Sequence, residues 1–283
     1  MGKSAEERLA ADDVVVITGG AGGMGQACAR AVQSRVLLLD VAAEPLEKAS
    51  AALTADGIDV VTARCDVTSP ADVAAVAARV RDLGRFRALV HAAGISPAMA
   101  DGRRVLEVDL VGTVRVTDAL FPLVGPGSSA VLIGSIAGYS DVAPAVEKLL
   151  DDPLADDFLA TVEAALGPPL DRATAYVLAK RGVMRLAERL ALPWGKAGGR
   201  VVSIAPGLID TAMGRMELET QPIAKVMAEI TPVRRPGSGP PGRVEDIAAA
   251  VAFLISDGAG FISGCDIRVD GGLVGAGKHL AGG

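Results

Sequence analysis

Tyr176 and Lys180 lie four positions apart in ATAYVLAKRG, residues 173–182, and only two tyrosines occur in all 283 residues. Side chains at i and i+4 share one face of a helix, so a phenol and an ammonium can project together toward a ligand. A free phenol has a pKa of ~10 and is a poor base at neutral pH. A neighbouring cation stabilises the phenolate and is expected to lower that value toward the range useful for proton transfer. The pair alone is common on helices, where packing or solvation explains it. Its meaning depends on what else the chain supplies.

A second chemical feature is TGGAGGMG, residues 18–25, which follows the short apolar run VVVIT. Glycines between a strand and a helix allow a tight turn and a close approach to a pyrophosphate, which then rests on the helix N-terminus. The loop fits three patterns at once: Gly20, Gly22 and Gly25; Gly19, Gly22 and Gly25; or Gly19, Gly23 and Gly25. Its register stays open on these residues alone. Asp40 closes the next apolar run, close to the ~20-residue spacing of an acid that bonds ribose hydroxyls. A carboxylate there repels a 2′-phosphate, and Gly20 brings no compensating cation, so NAD is expected over NADP.

Elements with a regular rhythm must position these residues. The runs at 14–18 and 36–40 read as strands buried on both faces, as in a parallel sheet, and further strand-like runs fall at 60–64, 88–93, 130–135, 201–205 and 266–270. Alanine-rich helical stretches lie between most of them, at 24–32, 44–56, 70–83, 103–123, 174–192 and 245–256. The expected fold class is α/β: a single-domain Rossmann fold, a doubly wound seven-stranded parallel sheet with helices on both faces. Half the residues are hydrophobic and only 3% aromatic, so the core is built from Ala, Val, Leu and Ile. A net charge of −6 argues against a nucleic-acid or anionic-membrane surface. Cys28, Cys65 and Cys265 form no CxxC or Cys/His cluster, which points to packed thiols in a reducing compartment and to no metal site. The opening MGKSAEERLAADD lacks the apolar centre of a secretory signal, and no run approaches the ~18 apolar residues of a membrane span. A soluble, cytoplasmic protein is expected.

With Tyr176 and Lys180 downstream of the glycine loop, the chain resembles the short-chain dehydrogenase/reductase family from about Val14 to Gly272. TGGAGGMG is similar to its TGxxxGxG loop, which implies Gly19, Gly23 and Gly25 as the register, with Met24 between them. CDV, residues 65–67, resembles the segment where Asp66 meets the adenine amino group and Val67 packs on the ring. HAAG, 91–94, stands where the family has NNAG, so Ala92, Ala93 and Gly94 would line the cofactor. IGSIAG, 133–138, is similar to the active-site serine segment and would place Ser135 beside Tyr176. APGLIDT, 205–211, resembles the segment of Pro206 in which the Ile209 backbone and the Thr211 side chain hold the nicotinamide end. DGG, 270–272, matches the closing strand. The extended branch of the family shares the Tyr/Lys pair but carries a separate substrate domain, so the single-domain branch is expected.

The resemblance implies a mechanism and a domain plan. Ser135 orients the substrate oxygen, Tyr176 takes the hydroxyl proton as hydride passes to the nicotinamide, and Lys180 binds the ribose and tunes the tyrosine. One NAD-binding domain spans 1–283: a dinucleotide-binding half at 12–138, a helical insertion at 139–172, and 173–274 with the Tyr176 helix, a substrate loop at 212–243 and the closing strand. The Tyr176 helix makes a subunit interface in most members, implying a homo-oligomer, dimer or tetramer.

Three departures stand out. EVDLVG, 107–112, puts Asp109 at the family's fourth catalytic position, an asparagine that holds a proton-relaying water; aspartate adds a charge and loses two donors. His91 sits beside the cofactor segment and is expected to be packed and neutral, and His279 to be a solvated tail residue. The insertion before Tyr176 is similar to that of the bacterial 3α-hydroxysteroid dehydrogenase/carbonyl reductase group. Its Val146, Leu149, Leu150, Leu154, Phe158, Leu159, Val162 and Leu166 suggest a helical hairpin packing one face inward, over the active site or the subunit interface. Met213, Met216, Leu218, Ile223, Val226, Met227 and Ile230 in the substrate segment suit a hydrophobic substrate. The implied activity is an NAD-dependent dehydrogenase or ketoreductase of a hydrophobic, hydroxysteroid-like secondary alcohol or ketone. The alternative is an NAD-binding sensor on the same fold.

Overall fold

The computed structural model describes residues 12–32, 34–236 and 239–280; the opening MGKSAEERLAA lies outside the described residues. In chain order the elements are β1 (Asp13–Thr18), α1 (Gly23–Ala31), β2 (Arg35–Asp40), α2 (Ala43–Ala55), β3 (Val60–Arg64), α3 (Pro70–Leu83) and β4 (Arg85–His91). There follow α4 (Gly102–Leu106), α5 (Gly112–Leu120), β5 (Ser129–Ile133), α6 (Pro144–Leu149), α7 (Phe158–Leu166), α8 (Arg172–Lys196) and β6 (Arg200–Pro206). The last elements are α9 (Ala212–Thr220), α10 (Pro222–Ile230), α11 (Val244–Ile255), β7 (Asp266–Val269) and α12 (Leu273–Leu280).

All seven expected strands form, in one parallel sheet of order β3-β2-β1-β4-β5-β6-β7. Each residue of β1 is buried, because helices cover both faces and leave no polar side for alternation. On one face α1, α2 and α11 pack on Val15, Ile17, Leu38, Val90 and Val202. On the other, α3, α5 and α8 pack on Val16, Leu37, Leu89, Leu132 and Val201. The chain reverses its direction across the sheet between β1 and β4, opening a crevice at their carboxyl ends where such sheets bind ligands.

The expected helix over 103–123 is broken. A wider π turn, Glu107–Val111, separates α4 from α5, and a 3-10 turn follows at Phe121–Leu123. The Thr113 hydroxyl donates to the Asp109 carbonyl at 2.7 Å, which satisfies a backbone acceptor inside the widened turn. Asp109 therefore sits on a local irregularity, where helical spacing alone misplaces side chains. The helix α12 after the DGG segment was not expected from the sequence.

The segment before α8 holds two short helices, α6 and α7. Leu150, Phe158 and Val162 are buried with Leu170 in the α8 side of the core, while Leu154 and Leu166 stay exposed. Asp151 pairs with Arg185 at 2.6 Å and Arg189 at 2.7 Å, and Glu147 with Arg181 at 3.1 Å. These arginines are one helical turn apart on α8, so the segment is fastened along a stripe beside Tyr176 and Lys180 rather than left as a surface excursion. Among the described residues no helix is long and apolar enough to cross a membrane, and no His/Cys/Asp/Glu group has the makings of a metal site.

Truncating Leu150 to Ala should lower unfolding stability by about 2–5 kcal/mol in urea melts, as for a fully buried leucine, whereas Leu154→Ala should stay within about 0.5 kcal/mol. Equal effects would contradict the inward packing of the segment.

Candidate active site

The α8 helix starts where the Asp171 carboxylate accepts the Thr174 amide at 2.8 Å, fixing the phase that brings Tyr176 and Lys180 to its inner face. Lys180 is 6% exposed, with Nζ 5.3 Å from the centre of the Tyr176 ring. Its ammonium lies 2.9 Å from Asp109 Oδ2 and 3.5 Å from the Ile133 carbonyl. The other Asp109 oxygen accepts the Ile95 amide at 2.8 Å. A Cβ on Gly94 would lie 3.3 Å from both Asp109 Oδ2 and Lys180 Nζ, so the chain after β4 is pressed onto this pair. Where the resembled family would have an asparagine and a water, this chain makes a direct, buried ion pair.

That pair changes the expected electrostatics. Burial pushes the Tyr176 phenol up, Lys180 pulls it down, and Asp109 and Glu217 push it up again, so the phenol lies above its ordinary value in the unliganded protein. The expected net lowering is not found there, because burial outweighs the ammonium field, and the Asp109 carboxylate offsets part of that field as well. Burial works against the charge on Lys180, but Asp109, the phenol and Glu217 outweigh it and hold the ammonium above the ordinary lysine value. Ser135, extended just after β5, accepts the Ala137 amide at 3.2 Å and lies near enough to the phenol to draw its pKa down. His91 is buried with Nδ1 3.0 Å from the Thr18 hydroxyl; burial and then Lys180 push its pKa down to about 3, so it is neutral, as expected. His279 is exposed.

The remaining expected residues sit in the loops at the carboxyl ends of β1 to β4 and β6. Gly19 has φ +66°, and a Cβ there would lie 2.6 Å from the Ala92 carbonyl oxygen. Gly25 faces the Gly19 carbonyl with no room for a side chain. At Gly23 the nearest heavy atom to an added Cβ is Val244, 3.8 Å away, so the fold itself does not require glycine there. An added Cβ could stand there without a clash, and helix N-termini in general attract phosphate groups. Asp40 accepts the amides of Ala21 and Ala42 at 3.0 Å each, which fixes its carboxylate beside the glycine loop. Met24 is half-buried on the α1 side of the core.

Asp66 accepts the Thr68 amide and hydroxyl at 2.9 and 2.7 Å; although burial opposes it, Thr68 and Arg104 hold its carboxyl below the ordinary range. Val67 is buried and packs on Gly112. The Ala93 amide donates to the Thr18 hydroxyl at 3.1 Å, setting the path of Ala92 and Gly94. Pro206 ends β6, Ile209 bridges to Gly242, and the Thr211 hydroxyl caps α9 by accepting the Gly214 amide at 2.9 Å. One half-buried group had not been singled out from the sequence: Glu217 of α9, whose charge both Tyr176 and Lys180 feel. Its only local signal is its i+3 spacing from Gly214.

Comparisons agree with this architecture. Residues 13–146 match the family described as short chain dehydrogenase, and residues 160–274 the one described as enoyl-(acyl carrier protein) reductase. The chain is 32% identical to the short-chain dehydrogenase/reductase bsc3 of Alternaria brassicicola, over 90% of this chain and 93% of that protein. It is also 32% identical to a cis-4-hydroxycyclohexanecarboxylate dehydrogenase of Sinomonas cyclohexanicum, over 96% and 98% of the two chains. A solved short-chain type dehydrogenase/reductase from Mycobacterium ulcerans superposes with a TM-score of 0.75 at 27% identity, covering 94% of this chain and 90% of that one.

The electrostatics can be read directly, because the chain holds only two phenols. Tyr139 donates to Asp266 at 2.8 Å, and burial with that carboxylate pushes it to about 12. Asp109→Asn removes a negative charge that raises the Tyr176 pKa, so the phenolate absorbance assigned to Tyr176 (by its loss in Tyr176→Phe) should appear at lower pH than in the native chain. An unmoved titration would contradict the offset described above.

Proposed function

The chain belongs to the short-chain dehydrogenase/reductase family of oxidoreductases, and from that membership we propose an NAD-dependent dehydrogenase or ketoreductase acting on a hydrophobic, hydroxysteroid-like secondary alcohol or ketone. The observation that carries the reading is the half-buried Tyr176 against the buried Lys180–Asp109 pair, with Ser135 beside it, at the carboxyl edge of the sheet.

NAD is supported by the fixed Asp40 carboxylate, which repels a 2′-phosphate and suits ribose hydroxyls. Gly19, Gly23 and Gly25 with Met24 would hold the pyrophosphate, Asp66 and Val67 the adenine, and Ala92, Ala93, Gly94, Pro206, Ile209 and Thr211 the ribose–nicotinamide half. When bound, the nicotinamide accepts or supplies the hydride. Ser135 donates to the substrate oxygen and orients it. Tyr176 moves the proton at its phenol oxygen: it donates during ketone reduction and accepts during alcohol oxidation. Lys180 remains an ammonium that would bind the ribose hydroxyls, and Asp109 acts as a positioning residue that holds it. A phenol kept protonated at neutral pH favours reduction there and alcohol oxidation at alkaline pH.

The substrate segment supports an apolar ligand in part. Leu218 and Met227 pack on Leu208, Ala224 and Ala228, which is structural, while Ile223 and Val226 remain exposed. The proposal extends to a cytoplasmic homo-oligomer, dimer or tetramer, of the single domain laid out above.

Tyr176→Phe should reduce turnover by about 10²–10⁴-fold while NAD affinity changes by no more than about twofold, measured by cofactor absorbance and calorimetry. Retained turnover would refute Tyr176 as the proton carrier. Tight NAD binding without turnover of any alcohol or ketone would favour a sensor. In the same calorimeter NAD should bind at least ~10-fold more tightly than NADP, a gap of about 1.4 kcal/mol, and Asp40→Ala should narrow it; equal affinities would remove the basis for NAD.

A further inference from the structure

We propose that Glu217 is a specificity residue whose carboxylate accepts a hydrogen bond from a second hydroxyl of the substrate, so that the preferred substrate is a neutral diol or hydroxyketone. This rests on the dehydrogenase reading and deepens it.

The geometry starts at the α9 N-terminus. Thr211 caps the helix through Gly214, and Gly214 is pressed so closely on the Ile209 carbonyl that a Cβ has no room. That side of α9 therefore faces the loop leaving β6, where Pro206, Ile209 and Thr211 lie. Glu217 and Leu218 follow Gly214 at i+3 and i+4, on the same face. Leu218 confirms the direction by packing on Leu208, whereas Arg215, Met216, Glu219 and Thr220 are exposed. Glu217 is thus carried toward Tyr176 and Lys180, and both register its charge.

Its carboxylate is left without a donor. Arg215 is engaged with Asp210, Lys180 with Asp109, and no side-chain hydrogen bond or ion pair to Glu217 occurs among the described residues. Burial pushes its carboxyl up, and the more distant Lys180 ammonium offsets this only in part, with no hydrogen bond to replace the lost water. A substrate hydroxyl would supply the missing donor, and a hydrogen bond to a charged acceptor is roughly twice as strong as a neutral one. A substrate carboxylate would instead meet like charge. An ammonium would meet Lys180. The relative named for a hydroxycyclohexanecarboxylate acts on an anion, and this chain is expected to reject that compound.

The test compares 1,4-cyclohexanediol, cyclohexanol and cis-4-hydroxycyclohexanecarboxylate with NAD at pH 8, in the native chain and in Glu217→Leu, Glu217→Gln and the exposed control Glu219→Gln. The diol should exceed cyclohexanol by about tenfold in kcat/KM, mostly through KM, and the carboxylate should be the poorest. Glu217→Leu should erase the diol advantage, Glu217→Gln should raise use of the carboxylate, and Glu219→Gln should change neither. Turnover of all three compounds without discrimination, or discrimination untouched by both Glu217 variants, would overturn the proposal. Flat cofactor absorbance for every alcohol would mark a failure of the dehydrogenase reading instead. The inference is then decided by ligand-observed NMR, where the diol must bind more tightly than cyclohexanol and lose that margin in Glu217→Leu.

Discussion

A buried ammonium paired with a buried carboxylate holds this site together. Asp109 comes from the widened turn between α4 and α5, Lys180 from the middle of α8, and the chain after β4 lies against both through Gly94 and the Ile95 amide. Taking two charges out of water costs several kcal/mol per ion, so such a pair is weak evidence for stability. What it supplies is placement. It fixes Lys180, and through the i, i+4 relation it fixes the phenol one turn earlier.

The same pair sets the character of the phenol. A lone lysine would pull Tyr176 toward phenolate; a lysine already matched by a carboxylate does so much less, and burial then dominates. The site so built holds its proton at neutral pH and surrounds it with groups that do not compete for it. His91 is neutral by burial, and Ser135 is turned so that its hydroxyl lies near the phenol. The insertion contributes from outside, pinning Arg181, Arg185 and Arg189 on α8 with Glu147 and Asp151.

Much of the fold is legible in the sequence because strands covered on both faces, such as β1 and β2, become unbroken apolar runs. All seven expected strands form, although the edge strands β3 and β7 are only partly covered. Tyr176 and Lys180 are legible because i, i+4 spacing has only one geometric meaning on a helix. The glycine loop was ambiguous in register, and the structure shows why. Gly19 and Gly25 answer to backbone contacts within the fold, whereas a Cβ on Gly23 would meet only Val244, at ordinary contact distance. Local patterns could not reveal contacts between distant segments. The Asp109–Lys180 pair depends on a π turn that breaks helical periodicity, and Glu217 acquires meaning only when α9 is docked on the β6 loop. The direction of the Tyr176 shift is a sum of opposed contributions from four elements, and the nearest cation is only one of them.

The central claim is that Asp109 keeps Lys180 charged in a buried place. The most direct measurement is an NMR titration of Lys180 labelled with ¹³C and ¹⁵N at the end of its side chain, in the native chain and in Asp109→Asn. The account predicts that the native ammonium survives beyond the pH at which an ordinary lysine loses its proton, and that the variant releases it earlier. Deprotonation below the ordinary lysine value in the native chain, or titrations that coincide in the two proteins, would contradict it.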